Sequence, residues 1–152
     1  MKINDLVIVS SLGEMKIYKA NPRDLEAEAG LKPQNIKLDL LNAFDYIEAH
    51  MKMQDINSDE PGQFKGANST MRSSGEDHNL KEKIEEDIIK AIAEDINTTV
   101  EQNNPPRVFL AVAEPVFNRV EARLKSSVKN RIFKSLKKDL TKTDKNRLVG
   151  EF

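Results

Sequence analysis

Two unbroken apolar runs limit what this chain can fold into more than any other feature. Leu6-Val7-Ile8-Val9, within residues 5–10 (DLVIVS), and residues 108–113 (VFLAVA) show no alternation of apolar and polar side chains. A strand with one wet face alternates with a period of two. A short run that does not alternate is covered on both faces, as in the middle of a parallel sheet. Two such strands, far apart in sequence with a helical pattern between them, belong at the centre of an α/β sheet.

The remaining pattern fits around that pair. Gly13 permits a tight turn, and Met15 and Ile17 alternating with Lys16 and Tyr18 predict a half-exposed return strand that Asn21-Pro22 ends. A third extended segment is expected over 36–41 after Pro33, followed by a helix over 43–53 with Phe44, Ile47 and Met51 on one face. Residues 80–102 carry the clearest helical signal. Leu80, Ile84, Ile88, Ile92, Ile96 and Val100 recur every four residues, and Ile89 and Ala93 widen the stripe. Asn79 with Glu82 matches an N-terminal capping pattern, and Asn103-Asn104-Pro105-Pro106 stops the helix. Glu114-Pro115 opens another helix, with Pro115 at its first position and Val116, Phe117, Val120 and Leu124 inward. Residues 130–137 hold Ile132 and Leu136 among basic side chains and read as an edge strand, and Thr143 is placed to cap a short terminal helix.

A hairpin meander followed by two crossover units predicts one α/β domain over residues 1–152. Its mixed five-stranded sheet, in ribonuclease-H-like order 3-2-1-4-5, has helices on its faces. Strands one, three, four and five would then point the same way and share a carboxyl-end rim, where open α/β sheets bind ligands. That rim is expected to gather Ser10, Ser11, Glu114 and the run Lys138-Asp139-Leu140-Thr141. Residues 54–79 form a polar, glycine-dotted stretch directly before the best helix, longer than connections inside compact domains usually are. Such a loop is either functional or disordered.

Composition excludes several classes. The chain has no cysteine, so neither a disulfide framework nor thiolate chemistry is available. Its N-terminal apolar run is too short for a signal-peptide core or a membrane span, so a cytoplasmic protein without export is expected. The net charge is −1, but residues 119–152 carry eleven Lys/Arg against four Asp/Glu, a local +7 balanced by −8 in residues 1–118. Such asymmetry marks either an anion-facing surface, RNA rather than DNA, or a solvated helix beside a lysine-protected edge strand. The chain has no tryptophan and few other aromatics, which weakens any model built on base stacking.

These residues resemble the bacterial host-attachment protein family. The resemblance spans essentially the whole chain: the opening LVIVSSLGEMKIYKA, then Ser58-Asp59-x-Pro61-Gly62-x-Phe64, the helix at 80–102, Glu114 to Phe117, and Lys138-Asp139-Leu140-Thr141. The loop lacks part of that family's usual glycine-serine run, and Glu114 stands where proline or alanine is common. The family is similar in turn to the middle domain of archaeo-eukaryotic release factors, whose loop carries Gly-Gly-Gln. Here the loop reads Pro61-Gly62-Gln63, with one glycine, so peptide release is not carried over. The resemblance implies a translation-, ribosome- or RNA-associated role, with Ser58, Asp59, Pro61, Gly62, Gln63 and Phe64 as the partner-engaging loop.

Catalytic chemistry finds little footing. The central strands carry no carboxylate cluster for divalent ions, and His50 and His78 are too isolated for a metal triad, so neither metal nor cofactor is expected. No phosphate loop and no nucleophile elbow is present. Three functions remain open: a non-enzymatic cytosolic factor contacting RNA or the ribosome, an attachment or surface-interaction protein, and an enzyme using Glu114 as acid/base and Lys138 as anion clamp.

Overall fold

The computed structural model describes residues 1–46 and 74–152. Both apolar runs are strands, β1 (Leu6–Ser10) and β4 (Val108–Val112), and every residue of each is buried. They pair in parallel, Leu6 opposite Val108 and Ser10 opposite Val112. Around them lie β2 (Glu14–Pro22), antiparallel to β1, then β3 (Ile36–Asp45), antiparallel to β2, and β5 (Ile132–Lys137), parallel to β4. The sheet order is β3-β2-β1-β4-β5, the order the sequence predicts.

Strand alternation splits the core in two. Leu6, Ile8, Met15, Ile17, Val108 and Leu110 face the long helix α2 (Ser74–Asn103) and α3 (Glu114–Ala122). Ile89, Ile92 and Ile96 of α2 and Val116 and Val120 of α3 close that layer. On the opposite face Val7, Val9, Tyr18, Ala20, Phe109 and Ala111 pack against Leu140 and against Leu148 of α5 (Lys145–Glu151). The second cover is far smaller than the first.

The structure corrects the sequence reading at several boundaries. The helix expected from Ala43 does not begin there, because β3 runs on to Asp45. Its ladder pairs Phe44 with Met15, and Phe44 packs on the core, a role that a helical stripe and a strand face both accommodate. The rest of that expected helix, with His50, lies outside the described residues. Helix α2 starts at Ser74 rather than after Asn79, so 74–79 are helical and not loop. His78 pairs with Glu82 one turn on, at 2.9 Å. Residues 54–73, including Ser58 to Phe64, lie outside the described residues. Pro115 is the second residue of α3, which opens at Glu114. The terminal helix is capped by Asp144, whose carboxylate accepts from the Asn146 amide at 2.8 Å, not by Thr143. Two four-residue helices went unread, α1 (Leu25–Glu28), capped by Asp24, and α4 (Ser126–Lys129).

At the amino end of the parallel strands one buried charge is fully engaged. Asp5, 0% exposed, accepts from the Lys2 amide at 2.7 Å and from Arg107 Nη2 at 2.7 Å and Nε at 3.2 Å. The pair ties the start of β1 to the start of β4. Removing one partner of a buried pair strands the other charge. Arg107→Ala is therefore expected to cost about 3–5 kcal/mol in urea unfolding, while the double replacement Asp5→Leu with Arg107→Leu recovers most of it.

Candidate functional site

The parallel strands and β3 end on one rim, and two segments meet there. The β1–β2 turn is held by its own serines. The Ser11 amide donates to the Glu14 carbonyl at 2.9 Å, and Ser11 Oγ accepts from the Gly13 and Glu14 amides at 3.2 and 3.4 Å. Beneath it Ser10, fully buried, donates its hydroxyl to the Ser11 carbonyl at 3.1 Å. The second segment follows β5. Asp139 Oδ1 accepts from both the amide and the hydroxyl of Thr141, at 3.0 and 2.6 Å, a local side-chain turn. Leu140 is driven into the smaller core layer and Thr141 is buried beside it.

Two lysines stitch the segments together. Lys16 Nζ donates to the Thr141 carbonyl at 2.9 Å, and Lys142 Nζ to Glu14 Oε2 at 3.0 Å. Lys142 is 83% exposed, so its ion pair adds little stability. The result is an open depression of about 370 Å³ lined by Ser11, Gly13, Glu14, Asp139, Thr141 and Lys142. A smaller one, about 210 Å³, shares Glu14 and is lined also by Lys16 and Phe44. Glu14 Oε1 is buried yet accepts no hydrogen bond among the described residues. Lys16 Nζ, at 3.5 Å, reaches it only as an ion pair at long range. Two carboxylates, Glu14 and Asp139, face one ammonium group, Lys142, in the larger depression, so it suits hydrogen bonding more than anion capture.

Of the expected rim residues, the structure brings Ser11, Asp139 and Thr141 together and places Ser10 directly under them. Glu114 and Lys138 stand apart. Glu114 is an exposed first residue of α3 and does not line the depression. Lys138 turns to α5 and pairs with Glu151 at 2.9 Å. Glu14, Lys16 and Lys142 were not foreseen. Among the described residues no group of three or more His, Asp or Glu side chains is placed to hold a metal ion. Ser11 Oγ accepts two backbone amides, and no imidazole lies against it among the residues described, so a nucleophile–base pair is not assembled.

Where the chain leaves the rim, the Tyr46 amide donates to the Gly13 carbonyl at 2.8 Å and its hydroxyl to Asp95 Oδ2 at 2.6 Å. Burial, with the hydrogen bond to Asp95 and its negative charge, pushes the Tyr46 phenol far above its ordinary pKa and keeps it a donor. This tie anchors the end of β3 to α2.

The basic segment 119–152 is divided by the fold. Arg119 pairs with Glu85 and Glu86, Arg123 with Glu86, Lys125 with Glu101, and Lys142 with Glu14. Lys129, Arg131, Lys134 and Lys137 have no carboxylate partner among the described residues. Arg131 and Lys134 donate to the main-chain oxygens of Pro105 and Phe152. These four lie along β5 and just before it, while Lys145 and Arg147, likewise without an Asp or Glu ion pair among the described residues, lie on α5. No helix among the described residues is long and apolar enough to cross a membrane.

The Asp139–Thr141 turn gives a direct test of how the rim is built. Asp139→Ala leaves the buried Thr141 hydroxyl and amide without their acceptor and should cost about 1–3 kcal/mol, read from the urea midpoint. Asp139→Asn keeps an oxygen at that position and should stay close to the parent protein.

Residues 6–151 match the family model described as "Protein required for attachment to host cells", and the chain belongs to that family. No curated protein matches it.

Proposed function

We propose that this member of the host-attachment family is a non-enzymatic, cytosolic binding protein that contacts RNA or the ribosome. One observation carries the reading. The fold neutralises the basic side chains of α3 and the rim with its own carboxylates, and leaves Lys129, Arg131, Lys134 and Lys137 uncompensated beside an open sheet edge. Clustered cations on one edge are the electrostatic footprint of a polyanion. The resemblance to release-factor middle domains supports the same direction, since it implies a translation-linked role.

In this reading the rim is a second contact. Ser11, Asp139 and Thr141, with Glu14, offer hydrogen-bonding groups beside the point where the chain enters 47–73. The loop residues Ser58, Asp59, Pro61, Gly62, Gln63 and Phe64 join the proposal by their sequence. An enzymatic role has the least support, because Glu114 and Lys138 are not brought to a common pocket. Attachment is the second reading, favoured by the family's own description. Protease treatment of intact cells tests it: cleavage of this protein at the surface supports it, and full protection beside a cleaved surface control rejects it.

The favoured reading predicts co-sedimentation with ribosomes at about 50 mM salt and its loss as salt rises, because phosphate contacts release counterions. Replacing Lys129, Lys134 and Lys137 together by Gln should lower the slope of log K against log salt by about 2, at about 0.7 for each single-strand phosphate contact. A parent protein that stays in the supernatant at low salt overturns the reading.

A further inference from the structure

We infer that Phe133 is a stacking platform for an unpaired nucleobase, so that the β5 edge takes single-stranded RNA in preference to duplex. This rests on the RNA reading above and narrows it to a ligand class.

The first observation is where the ring sits. Phe133 is 63% exposed, and it is the one aromatic among the exposed large apolar side chains of the described residues. Its position comes from an irregularity in the ladder. Val108 pairs with Ile132 and Phe109 with Lys134, so Phe133 is the extra residue with no partner on β4. Such a bulge re-aims a side chain.

The second observation is that the exposed ring is held in place. The Arg107 guanidinium lies 4.6 Å from its centroid, and the Phe109 ring packs at 5.5 Å with a 54° tilt. Arg107 is itself locked by buried Asp5, and Phe109 is braced edge-on by Phe152 at 5.7 Å. A floppy surface phenylalanine would lose rotamer freedom on binding; this ring has lost it already.

The third observation is charge. Residues 129–138 hold five Lys/Arg and no Asp or Glu. Lys129, Arg131 and Lys134 flank the ring in sequence, and none has a carboxylate partner among the described residues. A flat π surface among uncompensated cations matches a base with its phosphates on either side. In a duplex the base faces are stacked on their neighbours and closed to such a ring.

The test is fluorescence anisotropy of the full chain with labelled oligouridylate of about twelve nucleotides, within the span such sites cover, and with a duplex of equal length at the same salt. The parent should bind the single strand more tightly than the duplex. Phe133→Ala and Phe133→Leu should each weaken single-strand binding about 5- to 150-fold, leave duplex binding unchanged and leave the melting temperature close to that of the parent. Phe133→Trp should restore binding. An oligonucleotide carrying 2-aminopurine should be quenched by the parent and by Phe133→Trp but not by Phe133→Ala. If the parent binds RNA and Phe133→Ala binds equally, the platform is wrong and the electrostatic reading survives. Rescue by Leu makes the ring an apolar plug and overturns the inference. A change of oligomeric state in Phe133→Ala does the same, assigning the ring to contacts between copies. If the parent binds neither RNA, the platform and the reading beneath it fall together.

Discussion

The parallel pairing of β1 with β4 is the constraint on which the structure depends. Both strands are covered on both faces, so neither can move to an edge without exposing four or five apolar side chains. Their common direction forces the intervening chain to return from rim to base, and α2 is that return. It also sets the rim, because the ends of β1, β3, β4 and β5 must then face one way. The Asp5–Arg107 pair pins the other end of the two strands, where a slip in register would leave a buried carboxylate without its cation.

From that frame the fold sorts the protein's charges. Acidic side chains on α2 face basic ones on α3 and just after it, so three of the eleven Lys/Arg of residues 119–152 find their carboxylates across that interface. Much of what remains positive lies on β5 and just before it, and β5 is one of the two edge strands. Edge strands commonly carry lysine to discourage pairing with other sheets. Here the same residues surround a braced, outward-facing ring, an arrangement that edge protection alone does not require.

The sequence was legible where a pattern had one physical reading. The two unalternating runs admitted no surface position, and with the hairpin they yielded strand order, direction and rim. Ambiguity entered where one spacing served two structures, as at Phe44, whose apolar position suits a helical stripe and a strand face alike. The four-residue helices α1 and α4 are too short to show a period. At the rim, Ser11, Asp139 and Thr141 followed from topology. Lys16 did not, because its role depends on a hydrogen bond to Thr141, 125 residues away. Base stacking was discounted for the opposite reason: scarcity of aromatics across a whole chain does not reveal where a single one, Phe133, is aimed.

The length of α2 carries a mechanical consequence. Thirty residues span about 45 Å, while β4 with five residues covers about 17 Å. Within the described part of the helix, Ile88 is the first buried residue, and Ile84 one turn earlier packs partly buried on the same core. The turns before Ile88 are held by local pairing, His78 with Glu82, and by the guanidinium clasp of Arg119 and Arg123 on Glu85 and Glu86. The hydrogen bond and charge of Arg123, seconded by Arg119, keep the Glu86 carboxyl below its usual range, so its part of the clasp persists in mild acid and weakens as pH falls through that lowered value. From Leu80 to Val100 the rod thus passes from an exposed end held by charge pairs to one buried against the sheet, and amide protection should rise along that stretch.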